Sequence, residues 1–365
     1  MSSTRRTGVG IIGCGVISEI YLKNLTSWPD VAVIAVADQM DERARHRAEQ
    51  FGVGFRTVTG LLANPAIEIV LNLTVPAAHA SVGLAALAAR KSVYNEKPLT
   101  IERADGQRML ALAAQNGVLI GAAPDTFLGA GLQNCRRLID DGAIGEPVAA
   151  TLCFTSHGPE AWHPQPEFYY LAGGGPLFDM GPYYLTALAT LLGGVKRVSG
   201  AARASSATRV VGPLDNPGCV IPVETPTHIA GVLELESGLI ATIVTSFDVW
   251  GSDLPRIEIY GSAGAISAPD PNTFGGATRL RRAGEKEWTE VPADLPFAEN
   301  SRGLGVRDMA RAIREGGPHQ ADGALAYHVL DVMHAILDSA REGRRVDVAS
   351  SYAQPAVFTA FRDVG

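Results

Sequence analysis

Three stretches of this sequence carry side chains fit for phosphate or proton chemistry. The first is Gly13-Cys14-Gly15-Val16-Ile17-Ser18, which follows the apolar run Gly8–Ile12. A helical pattern comes next, with Ile17, Ile20, Tyr21 and Leu25 on one face. Gly13 permits a tight turn. Gly15 has no side chain to keep a pyrophosphate from the backbone at the positive end of a helix. A second apolar run, Val31–Ala37, ends at Asp38. A carboxylate there can accept hydrogen bonds from both hydroxyls of an adenosine ribose, and it repels a 2′-phosphate. Strand, glycine turn, helix and acid in this order are the setting of a dinucleotide fingerprint, with Ser18 in place of the third glycine. The cofactor read from these residues is NAD; Arg43 and Arg45 nearby leave NADP open.

The second stretch is Glu96-Lys97-Pro98, just beyond the short apolar run Ser92–Asn95. Ligands of open α/β sheets bind outside strand carboxyl ends. A lysine there can take a proton from a substrate hydroxyl if burial lowers its pKa, or stabilise a developing alkoxide if it stays charged. The third stretch runs from Gly173 to Tyr183. Asp179 and Tyr183 are four apart and share a face on a continuous helix. Pro182 between them argues for a helix start near Met180–Gly181, with Asp179 as its cap or aimed at a ligand. Just before it, residues 161–170 are dense in aromatics and prolines. Sugars expose hydroxyls and apolar C–H faces, so Trp162, His163 and Tyr170 are nominated as substrate contacts.

These residues need elements to position them. Apolar runs alternate with helical segments of 10–15 residues up to Ala122, which predicts βαβ units and a parallel sheet. The expected organisation is a doubly wound dinucleotide-binding domain over 1–123 and a second α/β domain over 124–365. In the second, Ile229, Gly231, Leu233 and Leu235 alternate with polar neighbours, turn at Glu236-Ser237-Gly238, and alternate again from Leu239 to Phe247. That is an antiparallel hairpin with one buried face. Residues 207–226 and 268–276 read as loops. His328 and His334 are six apart and read as structural. A net charge of −7 disfavours a broad basic surface for nucleic acid. Four cysteines without a paired spacing fit a reducing compartment, and no run is long enough to span a membrane. A cytoplasmic protein is expected, and no metal-ligand spacing is present.

Taken in order, the glycine turn, Thr74-Val75-Pro76 with His79, Glu96-Lys97-Pro98, the segment Asp140–Pro147 and Gly173–Tyr183 resemble the glucose–fructose oxidoreductase / inositol dehydrogenase / MocA family. The resemblance spans nearly the whole chain. It implies an N-terminal Rossmann domain, a C-terminal domain with an open, mainly antiparallel sheet, and a homodimer or homotetramer formed through that sheet. It implies NAD or NADP and a sugar or cyclitol substrate. It carries over Lys97 as the lysine of the catalytic site, Asp179 as an active-site carboxylate that also meets substrate, and Tyr183 as the proton-transfer residue. The cofactor set becomes Gly13, Cys14, Gly15, Val16, Ile17, Asp38, Thr74, Pro76, His79, Glu96 and Lys97. This chain departs from the commoner pattern at Tyr183, where many members have histidine. It departs again at Asp125, which is read as a replacement polar contact to substrate. The leading expectation is a dehydrogenase moving a hydride between nicotinamide and a ring carbon. The alternatives are a redox-neutral NAD-dependent glycosidase, using Asp125, His163 and Tyr170 for a second proton transfer, and a non-catalytic NAD sensor.

Overall fold

The computed structural model describes residues 5–163, 165–212 and 217–361. Two compact units are present, Met1–Leu128 with Glu299–Tyr327 and Phe358–Gly365, and Gly129–Ala298 with His328–Val357. The first unit thus runs to Leu128 rather than 123, and it also takes a segment from late in the chain.

In the first unit the predicted alternation of strand and helix is present. Its elements are β1 (Thr7–Ile12), α1 (Ser18–Ser27), β2 (Val31–Ala37), α2 (Asp41–Phe51), β3 (Gly54–Phe55), α3 (Val58–Leu62), β4 (Ile69–Asn72), α4 (Pro76–Ala88), β5 (Ser92–Asn95), α5 (Arg103–Asn116) and β6 (Ile120–Ala122). All six strands are parallel, in the order β3-β2-β1-β4-β5-β6. The order reverses between β1 and β4, which makes that pair the switch point of a doubly wound sheet. Helices cover both faces, so β1, β4 and β5 are buried throughout and read as apolar runs.

The second unit opens with α6 (Ala130–Asp140), β7 (Pro147–Thr155), α7 (Gly175–Leu192), β8 (Val195–Arg203), β9 (Thr208–Val210), β10 (Val220–Pro222), β11 (His228–Leu235) and β12 (Ile240–Ser246). There follow β13 (Ile257–Gly261), β14 (Gly264–Ala268), β15 (Thr278–Arg282), β16 (Thr289–Val291), α8 (Leu304–Glu315), α9 (Gly323–Glu342) and β17 (Val346–Asp347), of which α8 and the start of α9, up to Tyr327, belong to the first unit. Nine strands form one sheet, β16-β15-β14-β13-β7-β12-β11-β8-β17, antiparallel except for the β7–β12 pair. Its register explains the alternation seen in the sequence. Leu233, Ala241, Ala150, Ile259, Ile266 and Leu280 form one row across six strands, all buried. The adjacent row, Val232, Thr242, Thr151, Glu258, Ser267 and Arg279, belongs to the opposite face, where Val232 is exposed.

Two expectations are corrected here. Residues 207–226 are not all loop, because β9 and β10 form a short antiparallel hairpin there. And α7 begins at Gly175, with Pro182 inside it. Pro182 removes one backbone bond but the helix runs on, supported by burial of nearly every residue. Among the described residues no helix is long and apolar enough to cross a membrane.

Candidate active site

One register row in the parallel sheet places the first set of candidates. Ala37, Ile12, Asn72, Asn95 and Ala122 lie side by side across β2, β1, β4, β5 and β6. The ladder continues one residue further, with Gly13 N–H donating to Ala37 O, Leu73 N–H to Ile12 O, Glu96 N–H to Asn72 O and Ala123 N–H to Asn95 O. The glycine turn, Asp38, Thr74 and Lys97 therefore all leave the sheet within two residues of one line, at its carboxyl ends.

Gly13 and Gly15 have different jobs. Gly13 has φ +104°, and a Cβ there would lie 2.5 Å from the carbonyl of Leu73. Only glycine fits where β1 and β4 exit together. At Gly15 a Cβ would meet nothing within 4 Å, so the turn is open on the side a ligand would approach. Ser18 is buried at the start of α1 and donates to Gly15 O at 2.6 Å, so the small residue packs the helix close and ties the turn. Asp38 accepts from Cys14 N–H through Oδ2 (2.7 Å) and from Met40 N–H through Oδ1 (2.9 Å). Each oxygen keeps lone-pair capacity for a ribose hydroxyl. Cys14 serves through its backbone; burial, and then the Asp38 charge, push its thiol up to about 12. Val16 is exposed on the turn and Ile17 half-buried. Pro76 opens α4, and Arg45 lies over the Phe55 ring at 4.1 Å. An open glycine turn, the N-terminus of a ten-residue helix and the Asp38 carboxylate at the end of the next strand fit a dinucleotide.

Lys97 is half-buried, and its neighbours brace its backbone. Glu96 Oε2 accepts from Lys97 N–H at 2.8 Å, and its Oε1 accepts from Tyr21 O–H of α1 at 2.8 Å. The ring nitrogens of His79 face Pro98 O (2.7 Å) and Thr74 O (3.0 Å). His79 is completely buried, and burial holds its pKa below the usual value despite the two carbonyls. Two assignments change accordingly. His79 and Glu96 are expected from the sequence to touch cofactor; they are enclosed and spend their polar atoms holding the turns at Thr74 and Lys97. Asn72 and Asn95 are absent from the sequence-based candidates. Asn72 Nδ2 donates to Asn95 Oδ1 (3.0 Å), Thr74 Oγ1 donates to Asn72 Oδ1 (2.7 Å), and Asn95 Nδ2 donates to Leu99 O (2.8 Å). The signal that could find them is a pair of apolar runs that both end in asparagine.

Asp125 is also corrected. It is buried, and its Oδ2 accepts from Gly303 N–H (2.9 Å) and Gly305 N–H (3.0 Å), so it caps α8 rather than meeting a substrate. Burial pushes its carboxyl up to about 6 against the pull of those N–H groups and Arg302.

In the second unit Asp179 lies inside α7, half-buried, with Gly174 at the cap position. It is therefore no cap. Tyr183, buried, is one turn further on the same face. The glycines before the helix allow close approach. A Cβ on Gly174 would lie 2.6 Å from the carbonyls of Phe168 and Tyr169, and one on Gly175 2.9 Å from Pro226 O. The aromatic segment is thereby packed onto the start of α7. His163 meets Trp162, Phe168 and Tyr169 edge-on, with ring centroids 5.2–5.6 Å apart. Trp162 is 62% exposed, so it has surface to offer. Tyr170 does not, and its assignment as a substrate contact fails. It is fully buried with Val211, Ile221 and Phe247, and its hydroxyl donates to Glu160. His328 accepts from Val195 N–H at 3.0 Å and is structural, as expected. Among the described residues no group of three or more His, Cys, Asp or Glu could hold a metal ion.

This fold and this site define an NAD-binding oxidoreductase. The chain belongs to the GFO/IDH/MocA family: its NAD-binding Rossmann domain matches residues 7–123, and the family's C-terminal domain matches 132–267. It is 28% identical to myo-inositol 2-dehydrogenase of Thermotoga maritima over 264 residues, covering 71% of this chain and 74% of that protein. It is 26% identical to D-apiose dehydrogenase of Paraburkholderia graminis, over 98% and 94% of the two chains. Levoglucosan dehydrogenase solved with NADH superposes with a TM-score of 0.82 at 20% identity, over 95% of this chain and 100% of that one. At that identity the likeness speaks for the fold.

Proposed function

We propose that this protein is an NAD-dependent dehydrogenase acting on a ring alcohol of a sugar, sugar derivative or cyclitol. The observation that carries the reading is the register row that delivers the glycine turn, Asp38, Thr74 and Lys97 together at the sheet's carboxyl ends. The relatives that act on inositol and apiose support the substrate class. Gly13, Cys14, Gly15, Val16, Ile17, Asp38, Thr74 and Pro76 would hold the dinucleotide. When bound, NAD supplies the acceptor for one hydride.

Oxidation of the alcohol to a ketone would also release the hydroxyl proton, and the residues of this chain must manage that proton and the charge on the oxygen. Lys97 meets the hydroxyl oxygen and stabilises the charge that develops there. Tyr183 passes the proton. A phenol with a reference pKa of about 10 needs a cation beside it to do so near neutrality. Asp179, on the same helix face, orients a second substrate hydroxyl, and Trp162 and His163 take an apolar face of the ring. The glycosidase alternative drew on Asp125, His163 and Tyr170. Asp125 and Tyr170 are committed to the packing of their own units, so the dehydrogenase is the reading kept.

Myo-inositol, D-apiose, levoglucosan and simple glycosides, each with NAD and with NADP, separate these chemistries when absorbance at 340 nm and product are followed together. Stoichiometric NADH is expected. Lys97→Ala and Tyr183→Phe should each lower kcat by roughly a hundredfold or more. Undiminished turnover in both variants would overturn the site assignment, and glycoside cleavage without net NADH would overturn the reaction.

A further inference from the structure

Three loops of the second unit meet at one guanidinium. Arg209, central in the β9–β10 hairpin, is 8% exposed. Its Nη1 lies 3.3 Å from Glu160 Oε1, and its Nη2 donates to Asp248. Glu160 precedes the aromatic segment and also accepts from Tyr170 O–H. Asp248 is held by Ser205 Oγ and Thr227 Oγ1, each donating at 2.7 Å. Two residues after Asp248 comes Trp250, 84% exposed and stacked on His157 with ring centroids 3.3 Å apart and planes 15° apart. Backbone bonds complete the junction: Gly212 N–H donates to Glu160 O, Glu224 N–H to Tyr170 O, and Val249 N–H to Ser156 O. Gly158 leaves room for it, since a Cβ there would collide with both Glu160 Oε2 and the Tyr170 hydroxyl oxygen.

We propose that Arg209 is a specificity-determining positioning residue, which fixes the loops bearing Trp162 and Trp250 so that their exposed rings receive the apolar faces of a sugar. This rests on the reading of the chain as a sugar or cyclitol dehydrogenase. Two carboxylates on different loops repel each other when buried, and the planar fork of an arginine can satisfy both at once where a lysine ammonium is a single point charge. The two aromatic surfaces otherwise sit on irregular segments with little regular structure to hold them. In this assignment Arg209 acts on substrate through the placement of the loops, by its bonds to Glu160 and Asp248.

The test uses the full-length protein and Arg209→Met, with Arg209→Lys as the conservative variant and Glu160→Gln as a milder break should Arg209→Met fold poorly. Hydrogen exchange is read first, because it needs no substrate. Arg209→Met should lose protection in 157–171 and 248–254 together, while the NAD Kd, set by residues of the other unit, stays within about twofold. With myo-inositol and levoglucosan the KM should rise roughly tenfold and the selectivity between them should change, with kcat within about threefold. Arg209→Lys should recover part of the loss. Trp162→Ala and Trp250→Ala should raise KM, and either combined with Arg209→Met should be less than additive. Unchanged exchange in both loops would overturn the proposal. So would a lowered Tm with kcat and KM both intact. If the tryptophan variants raise KM and Arg209→Met does not, the proposal falls and the sugar reading stands. If neither tryptophan variant changes KM while the wild type turns over, the rings are not the sugar surface and the proposal falls with that part of the reading.

Discussion

Asp125 carries its carboxylate into a fully buried site, where two backbone N–H groups at the start of α8 face it. Burial outweighs those donors and lifts the pKa from 3.8 to about 6. The folded state then binds more protons than the unfolded chain between those two values, so stability from this group is fully present below the lower one and declines as pH rises through about 6. A rise of that size corresponds to about 3 kcal/mol at most. Asp125→Asn should therefore flatten the fall in stability across the mildly acidic range in urea titrations, while one amide oxygen still accepts from the cap. A slope identical to wild type would exclude the raised pKa. His79 and Glu96 behave alike: each reads from the sequence as a cofactor contact, yet Glu96 accepts from Lys97 N–H and His79 faces the carbonyls of Pro98 and Thr74.

The turn between β1 and α1 separates two roles that a motif lumps together. Gly13→Ala meets the Leu73 carbonyl at 2.5 Å in a backbone conformation that alanine rarely adopts, so it should lower Tm and NAD affinity together. Gly15→Ala meets open space and an ordinary φ, so Tm should stay within about a degree of wild type. Its NAD affinity should nevertheless fall about tenfold or more, because the methyl would occupy the face a pyrophosphate approaches. Thermal unfolding and fluorescence titration with NADH check both variants, and equal NADH affinity in Gly15→Ala and wild type would remove that turn from the cofactor site. The start of α7 shows where element boundaries resist reading. Pro182 looks like a helix stop, but the start is set by Gly174 and Gly175, which let the aromatic segment and Pro226 close on it. With the start at Gly175, Asp179 becomes a residue of the helix body, one turn from Tyr183.

The nine-stranded sheet buries one face, and the opposite face leaves Val232 and Ile240 exposed among threonines. A sheet face of that kind is a surface for association, and we propose that it joins a second copy of the chain as a homodimer or homotetramer. Val232→Glu with Ile240→Glu should yield monomers in light scattering with the NAD Kd retained; a monomeric wild type would refute the assignment. The boundary between units also differs from the sequence reading for a definite reason. Residues 299–327 return to the Rossmann unit because Asp125 caps α8, and Arg307 and Arg314 both reach Asp30.

What could be read without coordinates was whatever follows from short-range pattern. Apolar runs of strand length, the period of the helices, the glycine turn and its acid, and the alternation of β11 and β12 are local, and each survives in the fold. The partners of buried polar groups were not legible, because they come from distant segments: Asp125 with Gly303, Glu160 with Arg209, Asn72 with Asn95. A buried donor or acceptor must find a partner wherever the fold supplies one, and that condition, met only after the chain has folded, decided which polar residues brace the turns that carry the candidate site.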